Sequence, residues 1–220
     1  MRREKVLVKV LACLFLLPLS ASFVLAHPTA KVPKTGQTTC YNMYGVPASC
    51  NLITYPNGIQ PFKGQDAYYQ KGVAWPNPRF TDNGAGTVTD NLTGLMWTKD
   101  ADIFGTKNWQ DAITACEDLE WGANGCNPYT DWRLPNISEL ESLRHRQYVA
   151  PAVPNTAGTG KCSYGDPFTD VQFYSYWSST TYASFTPGPK AWRVEMTTGS
   201  TATSPKGGNY AYVWCVRGGQ

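Results

Sequence analysis

The sequence predicts an α+β fold, in which strands come first, two helices follow, and strands return at the end. An alternating β-type run with a central turn lies near residue 90, and two capped helix starts follow at Asn108 and Asn136. Three further β-type runs occupy 176–182, 191–196 and 211–216. Helices between two groups of strands are typical of α+β domains. We therefore expect strands from both ends of the domain to meet in one sheet.

The N-terminus has the layout of a secretory signal. Basic residues precede a largely apolar run from Val10 to Ala26, which ends in small residues. This predicts cleavage after Ala26, although an uncleaved membrane anchor remains an alternative. The predicted organisation is a signal peptide over 1–26, a flexible leader over 27–36 and one domain over 37–220. We expect a bacterial-type protein that is periplasmic or secreted, with no transmembrane segment after cleavage.

Net charge argues against a nucleic-acid partner. The 220 residues include 19 Lys+Arg and 16 Asp+Glu. Four of the basic residues and one acidic residue lie in the first 26, so the remainder carries 15 of each sign. A domain of zero net charge lacks the basic excess typical of nucleic-acid binding.

The cysteines indicate a disulfide-linked domain. Six follow the predicted signal, at positions Cys40, Cys50, Cys116, Cys126, Cys162 and Cys215. An even number in an exported chain indicates disulfides, although six thiols allow 15 pairings. The short segment from Cys40 to Cys50 suits a local loop closed by one bridge. No C-x-x-C spacing occurs and the chain has only two histidines, so we expect no structural metal.

Local signals locate the first hairpin and the first helix. The runs at 87–89 and 95–99 flank a turn over 90–94, which predicts a hairpin. Asn108 is a good helix N-cap with Asp111 three residues later. An apolar stripe follows at three- and four-residue spacing, and we expect the helix to end at Gly122.

The second helix and the segment after it complete the pattern. Asn136 with Glu139 forms a predicted capping box. Leu140 should face inward, whereas Arg144 and Arg146 should face solvent. The segment from 148 to 174 is rich in Pro and Gly and has no periodicity, so we expect an irregular loop before the last strands.

Four motifs resemble those of the Lcl C-terminal domain family. They are GTVTDNLTGLMW at 86–97, DWRLPN at 131–136, YWSST at 176–180 and CVRGG at 215–219. TGQ at 35–37 and GQDA at 64–67 are also similar to family members, so the resemblance covers nearly all of 35–219.

The resemblance implies a compact C-type-lectin-like domain and, from the family's founding collagen-like adhesin, binding of sulfated glycans. It also implies a bridge between Cys116 and Cys215. With Cys40–Cys50 as the local bridge, Cys126 and Cys162 are left to form the third. The tripeptides with which C-type lectins bind sugar through calcium are missing, so we expect calcium to be unnecessary.

Glycan recognition is the leading functional hypothesis. A structural or protein-interaction module of the cell envelope is the alternative, and an enzyme on a lectin-like scaffold ranks third. No catalytic motif is present, so we expect neither catalysis nor a cofactor.

The candidate glycan-binding residues lie in or beside the irregular segment, where binding functions concentrate. The basic candidates are Arg144, Arg146 and Lys161, and the candidates for stacking on sugars are Tyr148, Tyr164 and Tyr174. The structural alternative is that both arginines belong to the solvated face of a helix and pair with Glu141.

Overall fold

The computed structural model describes residues 32–42, 44–50, 64–123, 127–183 and 188–218. The predicted signal peptide therefore lies outside the described residues. None of the helices in these ranges is long and apolar enough to cross a membrane.

The fold is α+β, as the sequence predicted. The described ranges contain the helices α1 (Asp66–Tyr69), α2 (Trp109–Glu117) and α3 (Ile137–Ser142). The strands are β1 (Cys40–Tyr41), β2 (Pro47–Ala48), β3 (Phe80–Gly84), β4 (Thr87–Asp90), β5 (Met96–Thr98), β6 (Thr106–Lys107), β7 (Trp121–Ala123), β8 (Pro128–Tyr129), β9 (Ser175–Thr181), β10 (Lys190–Glu195), β11 (Ser200–Pro205), β12 (Ala211–Tyr212) and β13 (Val216–Arg217).

Two larger sheets form the framework. A four-stranded antiparallel sheet has the order β13-β5-β4-β3, and its β4–β5 pair is the predicted hairpin. A five-stranded sheet has the order β11-β10-β9-β12-β6. The last strand pairs Val216 with Trp97 of β5, so strands from the two ends of the domain meet in one sheet, as expected.

The final predicted run divides between the two sheets. Its first part, β12, lies in the five-stranded sheet, and β13 lies in the four-stranded sheet. Between them, Trp214 packs in one core cluster and Cys215 in another. Successive side chains of an extended chain point to opposite sides, which is why the neighbours Trp214 and Cys215 pack in different clusters.

Both predicted helix caps are present. The backbone N–H of Asp111 donates to the Asn108 side chain at 2.9 Å, and Asn136 with Glu139 forms the complete capping box. Helix α2 ends at Glu117, earlier than predicted. Gly122 does not end the helix but belongs to strand β7.

Two apolar clusters pack on opposite faces of β9. Tyr176 belongs to the first cluster with Trp97 and Trp214, and the next residue, Trp177, belongs to the second. The second cluster lies against α2 and includes its buried Ala112. Helix α2 and the large aromatic residues of the two clusters therefore form layers on either side of β9.

Two of the three predicted disulfides are present. Cys116 bridges to Cys215, and Cys40 bridges to Cys50. The third prediction is wrong, because Cys162 is a free, buried thiol; Cys126 lies outside the described residues.

The predicted Cys126–Cys162 bridge fails because Cys162 and the residues that flank Cys126 pack in different core clusters. Cys162 packs in the first cluster beside Phe168. Trp121 and Tyr129, which flank Cys126 in sequence, pack on the second cluster.

The described part of the predicted leader, residues 32–36, packs on the domain rather than extending from it. Pro33 pairs with Val73, and the backbone N–H of Arg146 donates to Thr35 O at 3.0 Å. Gly36 has φ +82°, and a Cβ there would lie 2.5 Å from His145 Nε2. Only glycine fits so close to the imidazole with this backbone conformation.

Candidate functional site

The chain between α3 and β9 forms the walls of two clefts. Residues 150–151, 161–164 and 170–173 of this segment, with Phe168, line the first, which we call the aromatic cleft. Residues 145, 148 and 158–159 line part of the second, which we call the histidine cleft. The segment with the extra length identified in the sequence therefore carries both candidate sites.

Buried side chains hold this irregular segment in place. Val153, Cys162 and Phe168 are buried in the first cluster. The backbone N–H of Cys162 donates to Val153 O at 2.8 Å, and that of Ala152 donates to Met196 O at 2.7 Å. A loop anchored in this way presents its surface residues in fixed positions.

The aromatic cleft has a volume of about 430 Å³. Two large aromatic residues at its edge are open to solvent, since Tyr164 is 80% exposed and Phe173 is 52% exposed. Lys161, Asp170 and Gln172 add polar groups to the same lining. Apolar rings beside a few polar groups are the usual composition of a small-ligand site.

The charge behind the aromatic cleft is acidic. Gln172 Nε2 donates to Asp102 Oδ2 at 3.0 Å. Burial raises the pKa of Asp102, and the nearby carboxylates of Asp100 and Asp170 raise it further. Lys161 is the one cation among the lining residues. This balance favours an uncharged ligand over a polyanion in the aromatic cleft.

The free thiol of Cys162 also lines the aromatic cleft. It is buried, and burial raises its pKa to about 11. The thiolate is the reactive form of cysteine, and little of it forms at neutral pH with such a pKa. Cys162 is therefore a weak nucleophile that fills core space.

The predicted lysine and tyrosines divide into three groups. Lys161 and Tyr164 line the aromatic cleft. Tyr148 lines the histidine cleft instead, and its hydroxyl donates to Thr159 O at 2.7 Å. Tyr174 is exposed beside Phe173, and its ring lies 6.2 Å from that of Tyr212.

The prediction that Arg144 faces solvent is wrong, because this residue is only 5% exposed. Its guanidinium pairs with Glu141 at 2.8 Å and also donates to Gly199 O. Helix α3 ends at Ser142, so the helical spacing that placed Arg144 on a solvated face no longer applies. Arg146 is exposed but lines neither cleft.

Sequence reasoning missed Phe173, Asp170 and Gln172. Phe173 directly precedes the predicted Tyr174 in the same irregular segment, and this adjacency was the available signal. The two polar residues had no distinguishing pattern, because only the fold brings them to the cleft.

The histidine cleft has a volume of about 320 Å³. Residues 34–38, Asp66 and Trp75 form the walls that face His145 and Tyr148. Across the described ranges, no three His, Cys, Asp or Glu side chains come together as a metal site would need.

Comparison with known proteins gives one family assignment. The Lcl C-terminal domain family matches residues 86–217, which include both sheets' central strands, helices α2 and α3 and the aromatic cleft. No curated protein matches the chain. The match extends over more than half of the sequence, contains the first three long motifs and includes the first three residues of the fourth, and the chain therefore belongs to the Lcl C-terminal domain family.

Proposed function

We propose that this protein is an exported recognition domain that binds extracellular glycan through the aromatic cleft, without calcium and without catalysis. The observation that carries the proposal is the pair of exposed rings, Tyr164 and Phe173, at the edge of a largely apolar cleft with a few polar groups. Large aromatic side chains are costly to leave in water, and their exposure at a cleft is typical of binding sites.

The chemistry of the cleft suits a sugar. One face of a sugar ring carries C–H groups that pack on an aromatic ring, while its hydroxyls both donate and accept hydrogen bonds. Lys161 can donate, and the Asp170 carboxylate and Gln172 Oε1 can accept, since Gln172 Nε2 already donates to Asp102 and to Asp170 O. Because the surrounding carboxylates oppose negative charge, we expect uncharged glycans to bind better than sulfated glycans in this cleft.

Export is supported by the signal-like N-terminus and by two disulfides in the described part of the chain. Structural disulfides persist in oxidising compartments, such as the periplasm and the extracellular space. We therefore propose a periplasmic or secreted location.

The absence of catalysis is part of the proposal. The thiol of Cys162 is buried and has a raised pKa, which argues against the enzymes that use reactive cysteines on a lectin-like scaffold. Asp102 is the acidic residue with a raised pKa beside the cleft, and its carboxylate is engaged by Gln172.

A glycan array with neutral and sulfated panels tests the proposal. The protein without its signal peptide is compared with Tyr164→Ala and Phe173→Ala. We expect each substitution to weaken binding at least about tenfold, the loss typical of a central interface residue. Tyr44→Ala is the matched control, because Tyr44 is also 80% exposed and lies outside both clefts.

Three outcomes would each contradict a part of the proposal, and a fourth would support the alternative function. Unchanged binding by Tyr164→Ala would contradict the assignment of the cleft, and preference for sulfated glycans would contradict the charge argument. Binding that disappears with a calcium chelator would contradict calcium independence. The exposed rings could also contact a protein, so loss of an envelope-protein partner in Tyr164→Ala without any glycan binding would support the alternative module.

A further inference from the structure

We infer that the histidine cleft is a second ligand site, which holds one uncharged sugar ring by a hydrogen bond from His145 Nε2–H. The inference is independent of the aromatic cleft, since the two clefts share no lining residue.

The imidazole of His145 is held rigidly. Tyr148 stacks on it with ring centroids 4.2 Å apart, and Trp75 packs edge-on at 5.0 Å. Gly36 also lies against the ring, so closely that a Cβ would be within 2.7 Å of three ring atoms. A ring packed on several sides cannot rotate freely, so the direction of its N–H groups is fixed.

One nitrogen of this ring has no hydrogen-bond partner among the residues that the structure describes. Nδ1 accepts from the backbone N–H of Gln147 at 3.2 Å, so Nε2 carries the hydrogen in the neutral form. Within the described residues, nothing accepts a hydrogen bond from Nε2. The side chain is only 4% exposed. Because His145 lines the histidine cleft, a ligand bound there would supply the acceptor that the described protein groups do not.

The other polar groups of the histidine cleft suit a ligand that carries several hydroxyls. Asp66 Oδ2 accepts from Thr35, while Oδ1 has no partner among the described residues. The side-chain amide of Gln37 is likewise without a described partner. The cleft thus offers donors and acceptors together, which is what the hydroxyls of a sugar require.

The charge and the volume of the histidine cleft favour a small, uncharged ligand. Lys34 and Asp66 carry opposite charges in the lining, and burial lowers the pKa of His145 to about 4, so the imidazole is neutral at pH 7. The volume of about 320 Å³ lies at the small end of ligand sites. Trp75 and Tyr148 supply apolar surface for the C–H face of a ring.

The N-terminal segment is essential to this cleft. Its residues from Lys34 to Trp75 precede the family match at 86–217, whereas His145 and Tyr148 lie inside it. The backbone N–H groups of Thr38 and Thr39 donate to Gln147 Oε1 at 2.7 and 3.0 Å, which fixes the segment beside the imidazole. The site therefore depends on residues that precede the range matched by the family.

NMR of the histidine side chains tests the inference directly. The chain has two histidines, and His145→Phe identifies the His145 signals by their loss. The probes are glucose, galactose, mannose, N-acetylglucosamine and N-acetylgalactosamine, each added to about 20 mM, well above a dissociation constant of about 1 mM. We expect the Nε2–H tautomer in the free protein and a saturable shift of the His145 signals with at least one sugar.

Variants of the lining separate binding in the cleft from indirect effects. Gln37→Ala and Asp66→Asn should each weaken the saturable shift at least fivefold. Gln110→Ala, an exposed glutamine of α2, is the matched control and should bind as the wild type does. Tyr164→Ala should keep the His145 shift even where it abolishes array binding, so failure of one cleft is distinguishable from failure of the other.

The inference is overturned if no probe gives a saturable shift, if the Nδ1–H tautomer is found, or if Gln37→Ala and Asp66→Asn both bind as tightly as the wild type.

Discussion

The buried ion pair between Arg79 and Asp90 gives the sharpest test of what stabilises this fold. Both side chains are fully buried. Arg79 Nε and Nη2 each donate to one carboxylate oxygen of Asp90 at 2.7 Å, and Nη2 also donates to Ser142 O. Asp90 further accepts from the backbone N–H of Leu92 and the hydroxyl of Thr93 in the turn before β5. The Arg79–Asp90 pair therefore ties the β4–β5 hairpin to the end of α3.

Replacing Asp90 with asparagine keeps the shape but leaves the Arg79 guanidinium as an unpaired buried charge. Breaking a buried pair in this way costs about 3–5 kcal/mol of the free energy of unfolding. For a domain of this size, 1 kcal/mol corresponds to about 2–4 °C in Tm. We expect Asp90→Asn to lower Tm by about 6–20 °C.

Urea unfolding without reductant measures the change, and Asp82→Asn is the matched control. Asp82 pairs with Lys99 at 2.6 Å, but both side chains are partly exposed, so the loss should be below about 1 kcal/mol. Adding Arg79→Met to Asp90→Asn should recover part of the stability, because the unpaired charge is removed. A cost for Asp90→Asn no larger than that for Asp82→Asn would refute the reasoning.

Three further predictions concern the cysteines and the histidine. Cys116→Ala/Cys215→Ala should lower the free energy of unfolding by up to about 4.7 kcal/mol, because the bridge joins residues 99 apart; urea unfolding that shows no loss would contradict this. Cys162 should resist alkylation at pH 8 until the protein is unfolded, and peptide mapping that found it in a disulfide would overturn the pairing described above. Burial, aided by the charge of Arg79, lowers the pKa of His145 from 6.5 to about 4, so the folded state binds fewer protons than the unfolded state. The free energy of unfolding should therefore fall by about 3 kcal/mol as pH drops from 6.5 toward 4, relative to that of His145→Phe over the same range. Parallel pH profiles of the two proteins would exclude the shift.

Local chemistry explains which parts of the fold could be predicted from sequence. The caps at Asn108 and Asn136 and the hairpin turn after Asp90 depend on residues within a few positions of one another. Such interactions are visible in the sequence because their partners are adjacent. The division of residues 211–217 between two sheets is different, since it depends on which distant strands lie on each side.

The errors have the same physical origin. Arg144 was placed on a solvated helix face, but α3 ends two residues before it, and Glu141 and Gly199 then hold its guanidinium. Cys162 was paired by exclusion, but its neighbours Val153 and Phe168 belong to a cluster different from that of the residues around Cys126. Both outcomes follow from tertiary packing, which overrides local pattern.

The candidate sites, like the fold, could be predicted only where the residues involved lie close together in the sequence. Lys161 and Tyr164 could be predicted because they lie in one irregular segment with exposed character. The histidine cleft could not, because it joins residues 34–38 to His145 across more than a hundred residues of chain. The motif TGQ at 35–37 was part of the family resemblance, but nothing in it indicated a contact with an imidazole.

The anchoring of the segment between α3 and β9 bears on how both clefts would bind. A flexible loop must be ordered when a ligand binds, and this cost is subtracted from the affinity. Here Val153, Cys162 and Phe168 are buried in the first cluster, so the order is established when the protein folds. The same anchors leave Tyr164 exposed on one side, while Tyr148 is fixed on the other by its hydrogen bond to Thr159 O. Small ligands make few contacts, so the sugar binding that we propose for the two clefts would benefit from this preorganisation.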